Sequence, residues 1–277
     1  MASRVLGVGR RLVAVVFWCL GLTASSHTSL ATQPAALSES HDFRVFDQWD
    51  GLGYLAVSGL AATPDGRLWM ATFRDLVCYD GIGFQRVILH GPQSPDPVQA
   101  QVLSCDGAGR LWLGGGAVIG ILEGKTWRLL GSEDGVPRVI IRNLAVRRSG
   151  EAWASWEGGL LRVRAWRCEA MAPPPETGTG SCGLVVDEGD RLWCSNGRGL
   201  WRRDGEGWVA EKGPSSVAGQ GVCGIGAARG GGVWVAWDRE VWRFREGAWD
   251  EGKERPQGML GDTVTVLEDR YGGVWVG

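Results

Sequence analysis

The feature that most constrains the fold of this chain is a six-residue phrase, centred on tryptophan, that occurs six times. The phrase reads GRLWMA, GRLWLG, GEAWAS, DRLWCS, GGVWVA and GGVWVG. Successive tryptophans are 43, 41, 40, 41 and 41 residues apart, and they are Trp69, Trp112, Trp153, Trp193, Trp234 and Trp275. Self-similarity at a period of about 40 residues indicates a repeat architecture, in which each repeat is one supersecondary unit.

Each repeat is predicted to contain four strands. An apolar or alternating run precedes each tryptophan, as in QVLSCD and VTVLED, and a turn containing Gly or Asp separates the two. A second aromatic residue follows the tryptophan by thirteen to fifteen residues in five units, as Phe84, Trp127, Trp166, Trp208 and Trp249. The pattern predicts strand, tight turn, strand, loop, strand, turn and strand in each unit.

Four short antiparallel strands in about 40 residues are typical of a β-propeller blade. We therefore predict an all-β chain, a β-propeller with five full repeats and a partial sixth. The repeated tryptophans are interpreted as structural anchors between neighbouring sheets, because a four-stranded sheet cannot cover its own faces. A solenoid is the competing architecture, but hairpin turns at this period favour radial sheets.

The repeat also sets the predicted boundaries. The stretch FRVFDQWDGLG at 43–53 aligns with WRLLGSEDGVP at 127–137, so 43–48 is predicted to be an outer strand that closes the ring, followed by a turn. The blades are predicted at 54–96, 97–137, 138–177, 178–218 and 219–259, with a partial sixth at 260–277.

The last repeat is predicted to contain two strands and to lack a source for its third strand within the chain. We therefore expect the chain to be a truncated fragment that stops inside a repeat of a complete, seven-bladed protein. An unpaired sheet edge at this place would favour aggregation.

Residues 1–31 have the pattern of a signal peptide. Arg4, Arg10 and Arg11 precede an apolar run at 12–22, which small residues follow. An uncleaved membrane anchor is the alternative, and 32–42 is predicted to be a linker. Export is therefore expected. Without this segment the chain carries 26 basic and 31 acidic side chains, which does not favour nucleic acid or an anionic membrane as partner.

The sequence contains few residues suited to metal binding, cofactor binding or catalysis. After residue 31 the histidines are His41 and His90, and the cysteines form no CxxC pair, so we predict no metal, no cofactor and no catalytic residues. One or two disulfides are compatible with export, but the sequence does not choose the pairs. Asp187, Glu188 and Asp190 precede Trp193 and are interpreted as a solvated hairpin tip.

A binding function has better candidates. In a propeller, the loops between second and third strands and the loops between blades share one face, where a ligand can contact several blades. A Trp ring can stack on a sugar face, and neighbouring Arg, Asn or acidic side chains can bond its hydroxyls. Trp156 and Trp237 occupy the same position in their units; packing on a neighbouring blade is the alternative for both. The candidate ligand-binding residues are Arg74, Arg138, Arg142, Asn143, Trp156, Asn196, Arg198, Trp237 and Asp238.

Several stretches resemble the two-component regulator propeller repeat, found in extracytoplasmic sensor regions of bacterial hybrid histidine kinases and related receptors. They are VTVLEDRYGGVWVG, DGLG at 50–53, DGVP at 134–137, RLWMAT at 67–72 and RGLWRRDGEGW at 198–208. The resemblance covers about residues 43–277. Ser155, Ser195 and Ala236 depart from the family pattern, which has glycine after the tryptophan.

This resemblance implies a ligand-sensing propeller domain of a signalling receptor, recognising glycans or their breakdown products. It also implies a kinase or diguanylate cyclase downstream in the complete protein and a receptor homodimer. Contact with a membrane is expected only through an N-terminal anchor or a downstream segment. Two alternatives remain: a secreted propeller lyase or hydrolase, and a protein-interaction platform that binds no small ligand.

Overall fold

A computed structural model describes most of the repeat region. The described residues are 4–5, 46, 50–53, 56–72, 74–92, 96–175, 182–196, 198–214, 222–237, 240–250, 265–269 and 271–276. These parts contain 23 strands and one short 3-10 helix, Ser132–Asp134. Within them, no helix has the length and apolar character needed to cross a membrane.

Five sheets each contain four strands that follow one another in the chain, each hydrogen-bonded to the next. Blade 1 contains β2 (Val57–Ala62), β3 (Leu68–Thr72), β4 (Leu76–Tyr79) and β5 (Phe84–Val87). Blade 2 contains β6 (Ala100–Cys105), β7 (Leu111–Gly115), β8 (Ile119–Glu123) and β9 (Thr126–Leu130). Blade 3 contains β10 (Asn143–Val146), β11 (Ala152–Trp156), β12 (Gly159–Arg164) and β13 (Arg167–Met171).

The remaining full blades follow the same order. Blade 4 contains β14 (Gly183–Val186), β15 (Leu192–Asn196), β16 (Gly199–Asp204) and β17 (Gly207–Glu211). Blade 5 contains β18 (Val222–Ala227), β19 (Val233–Trp237), β20 (Glu240–Arg245) and β21 (Ala248–Trp249). All neighbours within these five sheets are antiparallel, and the first strand of each sheet contacts the first strand of the next. The predicted all-β propeller of four-stranded antiparallel blades is confirmed.

The sixth sheet differs from the other five. It contains β22 (Val266–Glu268) and β23 (Val274–Val276), which are antiparallel, and β1 (Arg4–Val5), which lies parallel to β23. The last repeat was expected to have no source for its third strand within the chain, and this is wrong, because Arg4–Val5 lies at that position beside β23. An edge strand presents unpaired N–H and C=O groups, which bond any extended segment within reach. Apart from Arg4–Val5, the proposed signal peptide and linker lie outside the described residues.

The proposed closing strand at 43–48 lies outside the described residues except for Phe46. This residue is buried and its ring lies 5.3 Å from the ring of Tyr79, in a cluster on blade 1 that also contains Leu52. The aligned positions of the next repeat, Leu130 and Val136, are buried in the equivalent way against blade 3. Phe46 therefore has the environment that the alignment predicts for an outer strand.

The anchor tryptophans share one hydrogen-bonding requirement, since a buried indole N–H needs an acceptor. In three blades the acceptor is an aspartate six residues earlier: Asp106 for Trp112, Asp187 for Trp193 and Asp269 for Trp275, at 2.7 to 3.0 Å. In blade 1 it is the hydroxyl of Thr63, and in blades 3 and 5 it is Glu151 and Glu268. Every anchor indole N–H is thus bonded to an oxygen.

The interpretation of Asp187 as part of a solvated tip is wrong. Its carboxylate is buried and accepts the backbone N–H groups of Gly189 and Arg191, each at 2.9 Å. The Trp193 indole and the Arg191 side chain bond its second oxygen. Burial is tolerated because several donors replace the lost water.

The same turns link consecutive blades. The backbone N–H of Arg148 in blade 3 donates to the Asp190 carboxylate of blade 4 at 2.7 Å. The Glu188 carboxylate of blade 4 accepts the N–H of Gly230 in blade 5, also at 2.7 Å. The N–H of Arg229 then donates to Glu268 of the sixth sheet at 2.8 Å. The acidic residues of the turns therefore connect each of these blades to its neighbour.

Aromatic rings fill the space between sheets. Trp69 of blade 1 packs edge to face on Trp127 of blade 2, with 6.0 Å between ring centroids. Trp153 of blade 3 packs on Trp208 of blade 4 at 6.1 Å. Edge-to-face rings at this distance add to the stability gained by burying their area. The core of the molecule thus lies between the blades.

Candidate functional site

A cleft of about 470 Å³ lies at one end of blade 4. Aromatic and charged side chains line it together: Trp201, Trp208, Trp237, Arg198 and Glu211. The remaining lining residues are Pro175, Gly199, Leu200, Ala210, Gly213 and Pro214. This blade 4 cleft includes the loop between second and third strands and the connections to both neighbouring blades, which is the face where the sequence predicts a site.

The loop between β15 and β16 positions Arg198. Asn196 ends β15, and its side-chain oxygen accepts the backbone N–H groups of Arg198 at 3.0 Å and Gly199 at 3.2 Å. Asparagine is favoured in turns because its side chain can bond the backbone in this way. Glycine at 199 also leaves space for Trp201, since a Cβ there would lie 3.1 Å from the Trp201 ring. The turn thus holds Arg198 at the exposed rim.

Trp237 forms the wall of the cleft on the blade 5 side. It ends β19, is buried, and packs edge to face on Trp249 with 5.9 Å between ring centroids. A Cβ at Gly213 would lie 2.9 Å from the Trp237 ring, so glycine in the connection from blade 4 allows this approach. The Trp249 indole donates to the carbonyl of Lys212 at 2.6 Å, which fixes the same connection.

The charges in the cleft are unequally compensated. Glu211 forms an ion pair with Arg202 at 3.3 Å, and its side chain is 17% exposed. Arg198 is exposed and forms no ion pair within the described part of the chain. The rim therefore carries one uncompensated positive charge.

Two buried donors at the cleft have no acceptor among the described residues. One is the indole N–H of Trp237, which lines the cleft and is 7% exposed. The other is the side-chain amide of Asn196, which is 8% exposed and belongs to the turn that holds Arg198 rather than to the lining. Buried polar groups are bonded in most cases, so each unpaired donor is unusual and needs an explanation. Trp208, in contrast, donates its indole N–H to the carbonyl of Ala172 at 3.3 Å.

The structure brings three of the sequence-predicted residues together: Asn196, Arg198 and Trp237. Arg138 lies elsewhere, on a cleft of about 410 Å³ that also includes Gly116 and Ala117. This blade 2 cleft occupies the position in blade 2 that corresponds to the blade 4 cleft.

The other predicted residues line neither cleft. They are Arg74 and Arg142, which are exposed, Asn143, and Trp156, whose ring folds over Gly159 of its own hairpin. Asp238 lies outside the described residues. Trp156 and Trp237, although equivalent in the repeat, therefore have different surroundings, because one packs within its blade and the other on the preceding connection.

Sequence reasoning missed Trp201, Trp208 and Glu211 as cleft residues. Trp201 lies eight residues after its anchor tryptophan, where blade 1 has Val77 and blade 2 has Gly120. Blade 5 has the buried Trp242 at the same position, so an indole there does not by itself mark a cleft residue. The three residues were missed because only loop positions were considered as ligand contacts.

The described cysteines are free thiols, and burial raises the pKa of most of them. Burial raises the pKa of the Cys168 thiol to about 11 and also raises the pKa of Cys78. Cys182 and Cys194 share a hydrogen bond, which lowers the pKa of Cys182, while burial and this bond raise the pKa of Cys194. This is the pair that the structure brings together, whereas the sequence alone did not choose one. No group of three or more metal-ligating side chains occurs in the described residues.

No family model matches the chain, and no curated protein sequence does. Solved structures with a similar fold include virginiamycin B lyase from Staphylococcus aureus, with a TM-score of 0.65 and 14% identity over 80% of this chain and 77% of that one. The extracellular domain of the hybrid two-component system BT4673 from B. thetaiotaomicron has a TM-score of 0.62 and 14% identity over 82% of this chain and 31% of that one.

The extracellular domain of a second hybrid two-component system from B. thetaiotaomicron, BT3049, has a TM-score of 0.52 and 14% identity over 86% of this chain and 40% of that one. At such low identity the likeness concerns the fold alone, because one fold supports many functions. The chain is thus similar in fold both to a propeller lyase and to extracellular sensor propellers of two-component systems.

Proposed function

We propose that this propeller is the extracytoplasmic ligand-sensing domain of a two-component-type signalling receptor, and that its ligand is a glycan or a glycan breakdown product. The blade 4 cleft is the observation that carries the proposal. Three indole rings and two charged side chains converge in a space of about 470 Å³, a size suited to a small saccharide. The fold shared with two extracellular sensor domains supports the receptor role.

The chemistry of the lining favours a sugar over other small ligands. Indole rings can stack on the apolar face of a pyranose, and polar groups at the ring edge can bond its hydroxyls. In the cleft, the half-buried Trp208 supplies such a ring beside the buried Trp201 and Trp237, and Arg198 and Glu211 supply polar groups. The output enzyme, the membrane attachment and receptor dimerisation belong to other parts of the receptor in this proposal.

A secreted propeller lyase is the second candidate, because a lyase shares the fold with a TM-score of 0.65. The cleft lining offers one carboxylate, Glu211, as a general base, and Arg202 is already bonded to it. The Arg202 guanidinium thus occupies one oxygen of the carboxylate that would have to accept a substrate proton. Binding without turnover is therefore the result we expect.

Thermal unfolding of the full chain with a panel of oligosaccharides tests the proposal. A ligand present at 100 times its Kd adds about 2.7 kcal/mol to stability, which raises the Tm of a domain of this size by about 5 to 10 °C. We expect at least one saccharide to give such a shift and to be recovered unchanged afterwards. A panel without any shift contradicts the sensing proposal, and product formation favours the lyase.

A further inference from the structure

The blade 4 cleft has a chemical preference that goes beyond sugar binding in general. We infer that it selects saccharides that carry a carboxylate, such as oligosaccharides of uronic acids, with Arg198 as the charged contact and the Trp237 indole N–H as a donor. This inference rests on the proposed function, because it names the class of glycan that the same site would bind.

The charge balance gives the first reason. The whole chain has a net charge of −2, so a positive rim is not a general property of its surface. Within the cleft, Arg202 already neutralises Glu211, whereas Arg198 has no ion-pair partner in the described residues. A guanidinium presents its donors in a planar fork that matches the two oxygens of a carboxylate.

The balance of donors and acceptors gives the second reason. The indole N–H of Trp237, a residue of the cleft lining, is donor-only and is buried without an acceptor in the part of the chain that the structure describes. The one carboxylate of the lining, Glu211, is bonded to Arg202. The cleft therefore has donors in excess. An ionised carboxylate, which only accepts, complements this excess better than a hydroxyl, which also donates.

The blade 2 cleft shows that these features are specific to blade 4. It has a similar volume and an exposed arginine, Arg138, on its lining. At the positions of Arg198, Trp201 and Glu211, however, blade 2 has Ala117, Gly120 and Leu130. The two clefts thus share their place in the fold but not their chemistry, which makes Arg138 a matched control for Arg198.

Calorimetric titration of the full chain with a trimer of galacturonic acid and with the neutral galactose trimer tests the inference. We expect the acidic trimer to bind about tenfold more tightly, because a hydrogen bond to a charged group is roughly twice as strong as a neutral one, and a gain of about 1.4 kcal/mol is tenfold in affinity. The preference should shrink when the salt concentration rises, since an exposed charge is screened. Equal affinity for the two trimers overturns the inference.

Three variants test which residues carry the preference for the acidic trimer. Arg198→Gln keeps a hydrogen-bond donor but removes the charge, so it should reduce the affinity for the acidic trimer about tenfold and remove most of its preference over the neutral trimer. Arg138→Gln should leave that preference in place. Trp237→Phe keeps a ring against Gly213 and Trp249 but removes the N–H, and it should lower the affinity for the acidic trimer about fivefold. A Tm close to that of the unchanged protein shows that each variant is folded.

The outcomes separate this inference from the proposed function. If the neutral trimer binds and the acidic trimer does not, the carboxylate preference is wrong while sugar sensing stands. If Arg138→Gln and Arg198→Gln weaken binding equally, the effect of charge is non-specific and the site assignment is wrong. If no saccharide of the panel binds, the sensing proposal and this inference both fail.

Discussion

One carboxylate in the first hairpin turn of a blade fixes both the turn and the anchor tryptophan. The Asp106 side chain is 1% exposed and accepts hydrogen bonds from the backbone of Ala108, from the backbone and side chain of Arg110, and from the Trp112 indole. Burial alone would raise the pKa of Asp106, but the bonds from Trp112 and Arg110 outweigh it and hold the pKa below its usual value.

Replacing this carboxylate should lower stability in a pH-dependent way. Asp106→Asn should reduce the free energy of unfolding by about 2 to 3 kcal/mol at pH 7, because an amide places a donor among donors. A carboxylate whose folded-state pKa is depressed stabilises the protein at pH values above its unfolded-state pKa of about 3.9. This contribution disappears as the pH falls through the folded-state pKa. Urea unfolding at several pH values measures the difference.

Asp204→Asn is the matched control, since Asp204 is exposed at the end of β16. It should change the free energy of unfolding by less than about 0.5 kcal/mol. A loss for Asp106→Asn that stays constant from pH 7 to pH 3 would show that the carboxylate charge does not carry the effect.

At this scale the sequence analysis predicted the anchors but none of their acceptors. The spacing of six residues from aspartate to tryptophan is visible in blades 2 and 4. Blade 5 has Ala228 at that position, and its Trp234 uses Glu268, which is 34 residues away in the chain. A contact between two blades cannot be read from a local pattern, because it depends on how the sheets face each other.

The hairpins of blade 3 show what shortening a repeat does to an element. The second aromatic residues of blades 1 and 2, Phe84 and Trp127, lie within their outer strands, but Trp166 of blade 3 does not. Trp166 lies in the turn before β13, with φ of 63°, next to Ala165 with φ of 48°. A two-residue hairpin turn requires positive φ at both positions, which glycine and asparagine tolerate better than other residues.

Asparagine at the first turn position should therefore stabilise the protein. Ala165 is exposed, so Ala165→Asn should raise the free energy of unfolding by about 0.5 to 1 kcal/mol by relieving the left-handed backbone. Chemical unfolding measures the change. Ala108→Asn, at an exposed turn position that is not left-handed, should be neutral. A destabilised Ala165→Asn variant would show that the turn is not strained.

On the scale of the molecule, the period of the tryptophans predicted the fold, and the fold predicted a face at which loops of neighbouring blades form a cleft. Asn196, Arg198 and Trp237 were predicted because loops on one face of a propeller converge whatever their sequence. Trp201 and Glu211 were missed because they lie on strands, where an alternating pattern looks like core. The place of Trp201 also depends on a small neighbour, Gly199, where a Cβ would lie 3.1 Å from its ring, and only the packing shows this.

The central claim is that ligand binding occurs at the blade 4 cleft, and amide hydrogen exchange of the full chain with the galacturonic acid trimer tests it most directly. Binding stabilises the segments that it orders, so their amides exchange more slowly. We predict protection in peptides that cover 198–201, 208–214 and 237, with unchanged exchange at 116–120 and 131–140 in the blade 2 cleft. Protection confined to other blades, or equal protection at both clefts, would contradict this account.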